Sequence, residues 1–221
     1  ITHDFAKENK KLEIKAGIPA AGANMLTPLA MASITAIIAT YGAPAVAAFG
    51  VGTRLESLAS VIILALSMSL PPLISQNFGA QHYARVQEAY KVAVRSVVLI
   101  QLVMYALLIV SAPSIARVFT DDPEVAQLVR LFIYIMPIGY GMQGLIILTN
   151  SSLNALHQPL NALGLSIIRL FVMFVPLSWL GAVLYDIPGL FAGGVVANFI
   201  TGIFAWWWFH RGLRLAIIQE Q

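Results

Sequence analysis

Six stretches of roughly 20 apolar residues, separated by short polar turns, constrain this chain more than any other feature of its sequence. A helix of that length crosses a bilayer core about 30 Å thick, whereas one water-soluble core has no room for so many long apolar runs. The composition agrees: 59% of the 221 residues are hydrophobic and only 10% charged, and the mean hydropathy is +0.81. The runs lie near Ile18 to Thr40, Ala45 to Pro71, Val92 to Val110, Leu131 to Leu153, Leu163 to Leu184 and Leu190 to Phe209. Turn-forming sequences fill the gaps: "YGAP", "QNFGAQHY", "TDDPE", "HQP" and "YDIPG". Transmembrane strands would be shorter and would alternate in polarity, so the expected fold class is all-α, a polytopic bundle of six transmembrane helices.

The ions give an orientation. Lys7, Lys10, Lys11 and Lys15 precede the first run, Arg85, Lys91 and Arg95 flank the link from second to third, and Arg211 and Arg214 follow the sixth. With six spans these all fall on one side, while Asp121, Asp122, Glu124 and Asp186 fall on the other with Arg117 and Arg130. The positive-inside rule then places both ends in the cytoplasm. A net charge of +3 with a pI near 9.3 is explained by this topology, and no nucleic-acid partner is expected. The first segment, "ITHDFAKENKKLEIKA", lacks the form of a signal peptide and reads as a connector, so the chain is expected to be part of a longer protein.

Several classes of chemistry are disfavoured. Without cysteine there are no disulfides, thiolate zinc sites, iron–sulfur clusters or cysteine nucleophiles. His3, His82, His157 and His210 all lie in links or ends, and neither HExxH nor GxSxG occurs, so an intramembrane enzyme finds no motif and no cofactor is implied.

Polar residues inside the runs recur at helical spacing. Asn24, Thr27, Met31 and Thr35 share a face of the first run; Thr53, Glu56, Ser60 and Ser67 share one in the second; Tyr140, Gln143, Asn150 and Asn154 in the fourth; Asn198 and Thr201, beside Gly194 and Gly202, in the sixth. Interhelical hydrogen bonding at close contacts explains the serines, threonines and glycines. For Gln143, Asn150 and Asn154 a water-filled cavity is at least as good an explanation. Pro28, Pro137 and Pro176 interrupt the first, fourth and fifth runs, as static kinks or as points where a helix flexes around a cavity.

Arg54 and Glu56 stand about 200° apart around one helix and therefore do not pair with each other. Arg54 is expected to snorkel to the surface, whereas Glu56 is too short for that and needs water, a partner or a proton. Two roles are open to it: contact with a substrate or proton, or a structural one, either a hydrogen bond to a neighbouring helix or the cap of an interrupted segment near Gly50 and Gly52. Arg169, about 10 Å into the fifth run, leans away from Glu56, so a direct pair is not expected, and snorkelling towards headgroups or facing an inner cavity are its two readings.

"GIPAA" at Gly17, "PPLISQNFGAQHYARV" from Pro71 and "LNALHQPLNALGLSIIRLFVMFVPLSWL" from Leu153, in this order and spacing, resemble the second half of a multidrug and toxic compound extrusion (MATE) transporter. The resemblance runs from Gly17 to about Leu213. It implies a connector over 1–16 from a missing N-terminal lobe, a C-terminal lobe over 17–213 and a cytoplasmic tail over 214–221. It further implies a twelve-helix antiporter of two pseudo-twofold lobes in a bacterial inner membrane, exporting cationic or amphipathic drugs and dyes against H+ or Na+. The runs Ala20 to Thr40 and Leu131 to Leu153 contain no Asp or Glu, which departs from the sodium-coupled pattern and is more like the DinF-like branch. Candidate cavity residues are Glu56, Asn24, Met31, Ser60, Tyr140, Gln143, Asn150, Asn154, Arg169 and Asn198. A lipid or polysaccharide flippase of the same superfamily, and a structural or channel-like subunit, are the alternatives. The lobe is expected to pair through its exposed apolar face with its missing half or, alone, with a second copy.

Overall fold

The helices are set by where the chain stops being able to continue them. The computed structural model describes residues 25–219, and every element among them is helical. Helix α1, described from Met25 to Ala39, gives way at Gly42, whose φ of 98° favours a residue without Cβ. Helices α2 (Ala43–Gly79) and α3 (Tyr83–Phe119) follow, each of 37 residues, about 55 Å at 1.5 Å per residue. Their link is closed by Gln81 in the left-handed region (φ 59°), with the His82 N–H donating back to the Asn77 carbonyl at 2.8 Å. At the next link Asp122 caps α4 (Pro123–Ile135), accepting from the backbone of Glu124 at 2.8 Å, and Pro123 occupies the first turn.

Two irregular segments interrupt the second half of the chain. Met136–Gly139, containing Pro137, forms a 3-10 turn between α4 and α5 (Tyr140–Ala155). Ile168–Phe174 forms a π turn between α6 (Pro159–Ile167) and α7 (Val175–Gln219), just before Pro176. The α5–α6 link repeats the earlier closure, with His157 at φ 59° and the Gln158 N–H donating to Leu153 at 2.9 Å.

Helix α7 is broken at Tyr185 (φ −143°) and Asp186 (φ 54°), so its two arms fold back on each other as a hairpin. The arms touch backbone to backbone: a Cβ on Gly181 would collide with the Gly189 carbonyl, and one on Gly193 with the Leu177 carbonyl. The break lies within "YDIPG", as the turn reading expects. Among the described residues four helical stretches are long and apolar enough to cross a membrane, α2, α3, α4 with α5, and α6 with α7; the break in α7 divides the last in two, and the shorter apolar α1 makes six apolar segments. The part of the first run before Met25 lies outside the described residues.

Apolar packing is divided by height. One cluster, including Ile63, Leu70, Tyr90, Leu153, Leu165 and Phe209, fills the end where α2 meets α3 and α5 meets α6. Another, including Ile34, Phe49, Phe132, Tyr140, Ala182 and Phe191, fills the end holding the α1–α2 link and the α7 break. Large apolar side chains such as Leu58, Met68, Leu102, Val110 and Ile203 remain exposed, the surface a bilayer covers.

Candidate functional site

Glu56, Gln143, Arg169 and Asn198 each lie along their helices between residues of the two apolar clusters, so they form a polar layer near mid-height. Glu56 comes from α2, Gln143 from α5 and Arg169 from the π turn. All three line one cavity of about 280 Å³. Its polar wall is completed by Thr27, Thr53, Ser57 and Ser60, and its apolar wall by Met31, Met136, Leu170 and Phe174.

Within the cavity the Gln143 amide donates from Nε2 to Glu56 Oε1 at 2.9 Å. This bond joins α2 to α5 and fixes one carboxylate oxygen. Arg169 feels the charge of Glu56, but among the described residues no ion pair joins them. The guanidinium Nε is buried and has no acceptor among the described residues. The arrangement offers one group of each sign and flexible methionine and aromatic surface, the lining expected of an adaptable organic-ligand site. At 280 Å³ it is slightly below the range of about 300–1,000 Å³ for drug-sized pockets. Two larger clefts, beside Arg130 and Asp186 and beside Arg85 and Glu88, open on the surface.

A family model described as MatE matches residues 19–180. The chain belongs to this family. It is 37% identical over 185 residues to a protein of Shewanella oneidensis named FAD transporter, covering 84% of the chain and 41% of the relative. It is 26% identical to the multidrug export protein MepA of Staphylococcus haemolyticus, over 86% of the chain and 42% of the relative. Among solved structures, a Vibrio cholerae MATE transporter, VcmN, in its bent form superposes with a TM-score of 0.88 at 37% identity, over 90% of this chain and 46% of that one. The chain thus spans less than half the length of the relatives it matches.

Several polar positions of this MATE chain fall outside the shared cavity. Tyr140 is buried beneath it, its hydroxyl unpartnered and within electrostatic reach of Glu56. Asn198 is also buried, packed beside Gly139 with Oδ1 unpartnered. Asn150 ties α5 to α6 through a 3.0 Å bond from Nδ2 to Ser166 Oγ, and Asn154 is exposed away from the cavity. Asn24 lies outside the described residues. Thr35 and Ser67 donate back to their own helices, at the Met31 and Leu64 carbonyls, and not across to a neighbouring helix as the interhelical reading expects. Arg54 is exposed, while Arg169 reaches the cavity instead of snorkelling. Sequence reasoning passed over Gln101, which donates to the Ala59 carbonyl at 2.9 Å and leaves Oε1 buried and unpaired, and over the buried Ser178. A lone amide in the apolar run of α3 was the legible signal for the first; Ser178 had none.

Proposed function

We propose that this chain is the C-terminal lobe of a secondary active exporter, moving cationic or amphipathic organic compounds out of the cell in exchange for H+ or Na+. The observation that carries this reading is the meeting of Glu56, Gln143 and Arg169 in one cavity at mid-height, where repeat-built transporters place their cargo. One relative is named for transport of FAD and another for multidrug export, both organic cargoes, which supports the same reading. An N-terminal lobe closes the site from the other side, and the exposed apolar face of this lobe meets it. A lipid flippase of the same superfamily would need a groove open to the bilayer along its length.

Glu56 is the cation contact of this site. Glu56→Gln keeps size and hydrogen bonding, so the transporter carrying this lobe should express and insert normally while export of a cationic dye falls about tenfold. Neutral substrates should suffer less. Undiminished export of the cation by a well-expressed variant would reject the role, and lost expression would assign Glu56 to helix packing.

Both ends of the lobe lie in the cytoplasm, in a bacterial inner membrane. Because the chain has no native cysteine, Gln81→Cys gives a single label in the α2–α3 link. It should resist an impermeant thiol reagent in intact cells and react in inverted vesicles. Labelling from outside the cell would reverse the topology.

A further inference from the structure

We infer that Arg169 is an oxyanion-receiving subsite of this cavity, taking a carboxylate or phosphate carried by an amphipathic cargo whose flat body lies against Phe174. The inference rests on the reading of the lobe as half of a small-molecule transporter. It adds a negatively charged group to what that transporter recognises.

An arginine stays charged in any protein environment, and a charge at membrane depth is retained only with a partner or with water. The ordinary partner would be the one acid beside it. Glu56 lines the same cavity, yet no ion pair joins the two among the described residues, and Gln143 already holds one of its oxygens. Arg169 Nε is buried without an acceptor. Arg169 nevertheless lines the cavity, and a planar guanidinium there has the geometry that suits a two-oxygen anion.

The backbone supports the same assignment. Arg169 and Phe174 are five residues apart, which on an α-helix would separate them by about 140°. In the π turn Ile168–Phe174, with its i to i+5 bonding, they come onto one face, and both line the cavity. The turn therefore brings a cation and an aromatic ring to the same cavity. Glu56 lines the same space, so a compound carrying both signs of charge fits better than one carrying either alone.

Rhodamine B and its ethyl ester test this directly, since they share one cationic ring system and differ by a single carboxylate. Binding to the purified transporter containing this lobe, followed by dye fluorescence anisotropy, should favour the acid about tenfold over the ester, the worth of one charge-assisted hydrogen-bonded contact. Arg169→Gln should erase that preference by weakening the acid, and Arg169→Lys should keep part of it. Equal binding of acid and ester to the wild-type protein overturns the inference without recourse to any variant, as does equal weakening of both dyes by Arg169→Gln. Inorganic phosphate as competitor separates a bare-anion site from an amphiphile site: displacement of rhodamine B at equimolar phosphate overturns the cargo assignment, and retention supports it. If neither dye is carried into vesicles while the binding preference stands, the export reading falls and the anion subsite remains.

Discussion

Gly193→Val will separate the two arms of α7 and cost about 3 kcal/mol of stability, at the upper end for overpacking. The expectation follows from backbone contact. A Cβ at Gly193 meets the carbonyl group of Leu177 and the Cα of Ser178, neither of which can swing aside as a side-chain tip would. Gly181 and Gly189 close the same seam by facing one another nearer the break at Tyr185 and Asp186. Such a seam offers no apolar side chain to repack, so the arms must move as bodies. The measurement is the apparent melting temperature of the detergent-purified protein, with Gly164→Val as control, since a Cβ there meets nothing within 4 Å. Equal behaviour of the two variants would show that the seam is looser than described.

Gln143→Leu will destabilise the lobe by about 2 kcal/mol, because it leaves the Glu56 carboxylate without its donor at mid-membrane depth. Removing Glu56 as well should reverse much of that loss. A buried polar pair replaced by two apolar groups is nearly neutral, whereas one orphaned member bears its full desolvation. Glu56→Leu with Gln143→Leu should therefore melt closer to the native protein than Gln143→Leu alone, while cation export stays lost. The double-mutant cycle in melting temperature measures the coupling, and strictly additive losses would sink the pairing.

The six runs and their turns were legible because length, apolarity and turn residues act locally. "YDIPG" marked the break in α7, and "TDDPE" carried the Asp122 cap in its own letters. The irregular helices were not legible. Pro137 and Pro176 each declare a missing hydrogen bond, but whether the chain answers with a kink, a 3-10 turn or a π turn is decided by packing from distant segments. That uncertainty moved Arg169. Treated as a residue of a straight α-helix it leans away from Glu56, and only the π turn, with Leu170 and Phe174 beside it, presents it to the same cavity. The Glu56–Gln143 bond joins positions 87 apart in sequence. Each was recognisable as one member of a polar stripe, but which stripes face each other is a property of the assembled bundle. Ser178 escaped because it belongs to no polar stripe, whereas Gln101 was marked only by being a lone amide in an apolar run, with no periodicity to give its direction.

The π turn at Ile168–Phe174 has a further consequence for how such a lobe can vary. It stores one more residue than an α-helix needs over the same rise, and so acts as a phase shifter between two rigid rods. On one side of it Leu165 is fixed in one apolar cluster, and on the other Ala182 is fixed in the other. With both rods anchored, the chain between them can be re-indexed by a single residue gained or lost, turning a different side chain towards the cargo while neither anchor moves.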